Sequence, residues 1–446
     1  MVNTGQHSGP HSGPQAGSGH TRLAAWLAAW LDRHGMASLM RGVGAYGSAE
    51  MASRLVRLAA TVVIARQLAP DIVGEAALAL TIFEILRVLE RTGTGQKVVA
   101  VEAERLDAAC NTANRVCWWW TWGLVALQLG MAALLYGVFH RPVAGGILAL
   151  LSAVYLFMAA GHVSYWLALR EGLNGKLAKL AASQAIADHV LTAVLLLAWP
   201  NPWSLAAPKL LTAPLWLVLV RRARRWVPKP QAGHIPTGEM LRYSAGILAS
   251  EAMMALRTQG DNLIIAATLG TTALGTYYFA FNAGLGIVTS LVSAFGSVAF
   301  PMLCREESGH RRAKALRRVI LLAVAGFLPL ILLQSAAAGF YVPIVFGQRW
   351  AFAAPMISTL CLAGVPLLIS TIISDWLRAE GNVRRDAVAA LFGALSALTG
   401  LYVGAASGSL MAAASGLVIG QVLATCLYVT LILVPALRLP EPEAAQ

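Results

Sequence analysis

Twelve apolar stretches alternate with short polar loops, and basic charge fills every second loop. This alternation restricts the chain to one broad solution, a bundle of membrane-crossing helices. The spacing predicts spans at 48–68, 72–94, 116–138, 143–165, 178–199 and 204–220. After a basic link at 221–243 it predicts six more, at 244–268, 274–300, 319–338, 354–376, 386–405 and 410–436. With the N-terminus in the cytoplasm, the five cytoplasmic loops hold 21 Lys and Arg, and the external loops hold only Arg141 and Arg349. A single missed span would invert everything after it. The pattern therefore argues for both termini in the cytoplasm and for a six-plus-six division.

Composition agrees. Hydrophobic residues are 57% of the chain and charged residues 12%, about half the charged share of a soluble domain. The net charge of +13 sits in short loops, where it sets topology rather than forming a nucleic-acid footprint. The five cysteines are scattered and show no metal-ligand spacing. Residues 1–20, with His-Ser-Gly-Pro repeated, read as a disordered polar tail. Residues 21–47 read as an interfacial segment, with Leu23, Trp26, Leu27, Trp30 and Leu31 at helical spacing. The N-lobe is then 48–220, the C-lobe 244–437 and the tail 438–446. External loops are short, and Trp118, Trp119, Trp120 and Trp122 form an aromatic belt at one membrane face.

The halves also repeat. Ala65–Gly74 aligns without a gap on Ala266–Gly275, so that Ala65, Leu68 and Gly74 coincide with Ala266, Leu269 and Gly275. Internal repeats of this kind build many transporters.

Charges inside the membrane need a reason, because each costs roughly 2.5–3.5 kcal/mol at mid-depth. Arg54 and Arg57 share a face of the first span. Glu84, Arg87, Glu90 and Arg91 lie three and four apart on the second. Asp188 and His189 are on the fifth span, Lys209 on the sixth, Glu251, Arg257 and Asp261 on the seventh, and Asp375 on the tenth. Ion pairs that lock helices together would account for such charges, and so would a water-filled cavity between two lobes. A cavity with a net positive lining would hold an anion such as a diphosphate, to which arginine's forked donors are suited. Pro208, Pro214, Gly284, Pro329 and Pro366 mark places where helices could bend.

Five stretches carry a resemblance. They are Ser53–Gly74, Gly260–Tyr277, Phe300-Pro301-Met302-Leu303, Phe346–Trp350 with Ala354-Pro355, and Arg378-Ala379-Glu380-Gly381-Asn382. In order and spacing the chain resembles the polysaccharide transporter family of the multidrug/oligosaccharidyl-lipid/polysaccharide flippase superfamily. The resemblance implies an all-α polytopic protein of about twelve helices, in two pseudo-symmetric six-helix lobes around a central cavity. It implies movement of an undecaprenyl-diphosphate-linked glycan across the bacterial inner membrane by alternating access, driven by an H⁺ or Na⁺ gradient. A polysaccharide polymerase and a chain-length regulator are implied partners. On this reading Arg54, Arg57, Arg87 and Arg257 bind substrate, and Asp261, Glu84 and Asp188 are the candidates for ion coupling. Related flippases also carry a cation on the eighth span, and this chain departs from them there.

Three other functions remain open at this stage. An ion-coupled drug or metabolite antiporter of the same superfamily would share the architecture. A polymerase or ligase would need the large external loop that is missing here. A scaffold without transport would leave the intramembrane charges unexplained. No enzymatic chemistry, cofactor or metal site is expected.

Overall fold

The structure, a computed structural model, describes residues 36–90, 93–305 and 309–437. The polar tail 1–20, most of the segment 21–47, Arg91 and the tail 438–446 lie outside the described residues. The chain divides into a unit at Met1–Met51, helical over its described part 36–51, and a large unit at Ala52–Gln446.

The described residues form helices and no strand, and each expected span falls on one helix or on two in succession. The first three spans are α1 (Met36–Gln67), α2 (Pro70–Leu89) and, after the short α3 (Thr94–Ala100), α4 (Leu106–Gly137). The fourth is α5 (Pro142–Leu151) with α6 (Val154–Arg170); α7 (Asn174–Ala198) and α8 (Trp203–Ala223) are the fifth and sixth. The seventh is α9 (Thr237–Leu269), and the eighth is α10 (Thr271–Ala283) with α11 (Leu285–Cys304). The ninth is α12 (Gly309–Leu322) with α13 (Leu328–Val345), and the tenth is α14 (Ala354–Leu362) with α15 (Gly364–Ala379). The last two are α16 (Val383–Ala406) and α17 (Leu410–Tyr428), the latter extended by α18 (Val434–Leu437).

Eight of these segments, the third to sixth and the ninth to twelfth, are long and apolar enough to cross a membrane. Of the other four, the first, second and seventh carry Arg54, Arg57, Glu84, Arg87, Arg257 and Asp261, whose charge lowers their apolar character, and the eighth is divided at Gly284.

The expected bends are realised unevenly. The eighth span breaks at Gly284, where φ is −110° and ψ −88°. The ninth widens into a π-turn at Ala323–Phe327, just before Pro329. Proline offers no N–H to the preceding turn and crowds the carbonyl four residues back, so the local ladder shifts. The sixth span, with Pro208 and Pro214 inside it, continues as a single helix.

The repeat becomes a contact. A Cβ on Gly74 would lie 1.9 Å from the Thr271 carbonyl oxygen, and one on Gly275 would lie 1.9 Å from the Pro70 carbonyl oxygen. Pro70 and Thr271 are equivalent positions in the two copies, as are Gly74 and Gly275. Helices α2 and α10 therefore cross backbone to backbone, each copy offering the same pair of atoms to the other. A second such seam joins α16 and α17. There a Cβ on Gly400 would stand 2.1 Å from the Gly416 oxygen, and one on Gly416 2.1 Å from the Gly400 oxygen. Small residues four apart let membrane helices approach this closely.

The basic link is fastened rather than free. Asn111 Nδ2 donates to the Lys229 and Gly233 carbonyls at 2.8 and 2.9 Å. Thr112 Oγ1 accepts from Ile235 N at 3.0 Å. Glu239, at the start of α9, takes Lys97 Nζ at 2.8 Å and Arg105 Nη2 at 3.0 Å. Those hydrogen bonds, from Lys97 first and then Arg105, hold the Glu239 carboxyl below the usual carboxylate range.

Candidate substrate cavity

One end of the bundle is shut by polar clasps between sequence-distant helices. This is the end that the loop charges assign to the outside. Arg141 Nη1 donates to Glu75 Oε1 at 2.7 Å and to Thr271 Oγ1 at 2.8 Å, spanning both halves of the chain. Arg66 donates to the carbonyls of Val345 and Ile344, each at 3.0 Å. A cation suits that place, because the carbonyls at a helix C-terminus carry partial negative charge. Trp350 Nε1 donates to the Ala65 carbonyl at 2.7 Å, and its ring centroid lies 3.9 Å from that of Phe279.

Towards the other end lies a cavity of about 520 Å³. It runs from Glu84, Asp188 and Lys209 at mid-helix to Gln96, Trp166 and Leu177 near the loops assigned to the cytoplasm. Glu251 of α9 joins residues of α2, α6, α7 and α8 in lining it.

At its centre four charges form a chain across three helices. Arg87 of α2 donates to Glu84 Oε2, at 2.9 Å from Nε and 2.5 Å from Nη2. Lys209 Nζ of α8 stands 3.7 Å from Glu84 Oε1 and 3.4 Å from Asp188 Oδ2 of α7. Among the described residues Asp188 Oδ1 is buried without a hydrogen-bond partner. One helical turn separates Glu84 from Arg87, so their pairing follows from sequence spacing. Lys209 meets them only because α8 packs beside α2 and α7.

Of the seven residues singled out from the sequence, the cavity gathers Glu84, Arg87 and Asp188. Arg54 and Arg57 instead reach across to α11, where they bond the Ser290 carbonyl and hydroxyl, the latter at 3.0 Å. Asp261 is buried at the α9–α10 contact, with Tyr277 Oη donating to Oδ2 and Asn262 N to Oδ1, both at 2.9 Å. Arg257 is exposed on α9. Sequence reasoning named Lys209 among the intramembrane charges but gave it no part in the site. The cavity lining also differs from the net positive one expected. Its carboxylates are Glu84, Glu90, Asp188 and Glu251, against the cations Arg87 and Lys209. Helices α7 and α9 bring acids to the cavity, whereas the arginines of α1 are spent on α11.

Two solved structures share this fold. One is the lipid II flippase MurJ in an inward closed conformation, with TM-score 0.69 and 12% identity over 86% of each chain. The other is an inward-facing multidrug resistance MATE family transporter of the MOP superfamily, with TM-score 0.66 and 14% identity, covering 88% of this chain and 97% of that one. The described residues thus form an all-α, multi-span membrane protein with the fold of these two structures. Within that class the chain belongs to the polysaccharide biosynthesis protein family, whose profile matches residues 63–355. It is 26% identical over 362 residues to the succinoglycan biosynthesis transport protein ExoT of Rhizobium meliloti (strain 1021), covering 79% of this chain and 71% of the relative. It is 21% identical over 312 residues to the lipopolysaccharide biosynthesis protein WzxC of Escherichia coli (strain K12), covering 69% and 63%.

Proposed function

We propose that this protein carries an undecaprenyl-diphosphate-linked oligosaccharide from the cytoplasmic to the outer leaflet of the bacterial inner membrane. The lipid chain stays in the bilayer while the charged head passes through the protein. A diphosphate cannot cross hydrocarbon unaided, since stripping water from an ion costs far more than thermal energy. The observation that carries the reading is the charge chain in a cavity of this family's fold. Arg87 and Lys209 are each held by a carboxylate, and a diphosphate oxygen offers the same hydrogen-bonding chemistry as the carboxylate it would displace. In this mechanism Glu84 or Asp188 takes up a proton or Na⁺, releases its cation, and the cation grips phosphate. Return of the ion restores the internal pairs and expels the head. Arg54 and Arg57, which Ser290 holds in this arrangement, and Arg257 meet the head group only after the lobes rearrange. Asp261 is a further coupling group, whose neutralisation would loosen Tyr277 at the crossing of the two halves. The cavity's size, within the roughly 300–1,000 Å³ of small-molecule sites, suits a diphosphate with its first sugars. The reading includes both termini in the cytoplasm and two lobes, 48–220 and 244–437, that rock about the Gly74–Gly275 crossing.

The excess of carboxylates in the lining favours a second reading, ion-coupled export of an organic cation. Proteoliposomes containing the purified protein separate the two. Flipping of a short-chain polyprenyl-diphosphate oligosaccharide, lost in Arg87→Ala, supports the first. Gradient-driven uptake of a cationic dye without any flipping would replace it with the second.

A further inference from the structure

Beside the charge chain, at the edge of the same cavity, three metal-ligating side chains meet from three helices. Glu90 follows α2, Cys117 lies on α4 and His162 on α6, and their ligand atoms all lie within 4.8 Å of one another. All three are buried. The donor set is a carboxylate oxygen, a thiol sulfur and an imidazole nitrogen, each a donor type that zinc accepts. The spacing fits as well. Ligands at about 2.0–2.3 Å around a tetrahedral ion stand about 3.3–3.8 Å apart, nitrogen–oxygen pairs at the short end, and His162 Nδ1 at 3.7 Å from Glu90 Oε1 needs only a small side-chain adjustment to meet this. The other ring nitrogen is already occupied, since His162 Nε2 lies 2.9 Å from Thr94 Oγ1. When Nε2 carries the proton and donates it to that hydroxyl, Nδ1 turns its lone pair towards Glu90 and Cys117. A hydrogen bond of this kind orients a metal-bound imidazole. Charge balances too, because a thiolate and a carboxylate together neutralise a divalent cation among buried side chains.

We infer that Glu90, Cys117 and His162 bind a divalent cation of the zinc class, with a water from the cavity as the fourth ligand. Binding releases the Cys117 proton, and the ion pins α2, α4 and α6 together next to Glu84 and Arg87. Glu90 and His162 both line the cavity, so the ion's open position faces it.

Cobalt(II) is the probe, because a thiolate bound to it produces a charge-transfer absorption that histidine and carboxylate alone do not. The full chain, purified in detergent and stripped with a chelator, is titrated with Co²⁺. The expected result is about one thiolate-bound cobalt per chain, displaced by Zn²⁺. Cys117→Ser loses the band, His162→Ala weakens binding at least about tenfold, and Cys110→Ser keeps both. The histidines at positions 7, 11 and 20 supply no thiolate and cannot mimic this signature. Absence of the band from the wild-type protein, or its persistence in Cys117→Ser, overturns the inference. Should Cys117→Ser fail to fold, alkylation of Cys117 in the wild-type protein decides the matter: slowing by Zn²⁺ supports the site, and an unchanged rate overturns it.

Discussion

Lys209 is the residue on which the cavity's charge balance turns, because it touches two carboxylates on different helices. Its removal leaves Glu84 and Asp188 facing each other without the cation between them. Lys209→Met should therefore cost on the order of 1–3 kcal/mol of stability as well as transport. The double variant Lys209→Met/Asp188→Asn should regain most of that stability while transport stays lost. Thermal unfolding in detergent and polymer export in cells read the two effects separately. Recovery of export in the double variant would reduce Lys209 to a structural tie. Glu239 offers a simpler test. Its folded pKa is depressed, so its contribution to stability is present above the ordinary glutamate range and is lost as pH falls through the lower folded value. Wild type and Glu239→Gln should accordingly converge in melting temperature on acidification, and a gap that persists at low pH would count against the clasp.

Among the elements, the α2–α10 crossing fixes how the halves meet. Each glycine sits against a carbonyl of the other helix at a distance that no side chain tolerates. Gly74→Val or Gly275→Val should cost at least about 1–3 kcal/mol and should be equivalent in effect, because the positions are equivalent in the repeat. Membrane yield and melting temperature measure this, and a benign valine at either position would show that the helices do not cross there. The equivalence of Gly74 and Gly275 was legible in the sequence through the repeat, but their contact was not, because alignment of two copies does not say that they touch. The helices were legible too, because apolar length reports on them, and eight described segments are long and apolar enough to cross a membrane. The site was less so. Glu84 and Arg87 lie one turn apart and announce their own pairing. Lys209, Asp188, Cys117 and His162 come together only through packing among four helices, which leaves no mark in local spacing. Arg54 and Arg57 look identical in sequence whether they face a cavity or, as here, Ser290 of α11.

For the whole molecule, the closed end and the cavity at the other end make one working arrangement. Arg141, Arg66 and Trp350 shut the side assigned to the outside, and the cavity runs towards the side assigned to the cytoplasm. Alternating access requires these clasps to open. Arg141→Ala should therefore raise the labelling of Ala273→Cys, partly buried beside the clasp, by a membrane-impermeant thiol reagent, severalfold in intact cells; unchanged labelling would remove Arg141 from the gate. Movement of a lipid-linked glycan between leaflets is read out in cells depleted of this protein. Glycolipids are extracted after intact spheroplasts have been exposed to an external glycosidase, and the digested fraction is compared with that from replete cells. The account predicts that undecaprenyl-diphosphate-linked oligosaccharide accumulates in undigested form, and that re-expression of the wild-type protein, but not of Arg87→Ala, restores digestion. An unchanged amount and leaflet distribution of that glycolipid on depletion would contradict it.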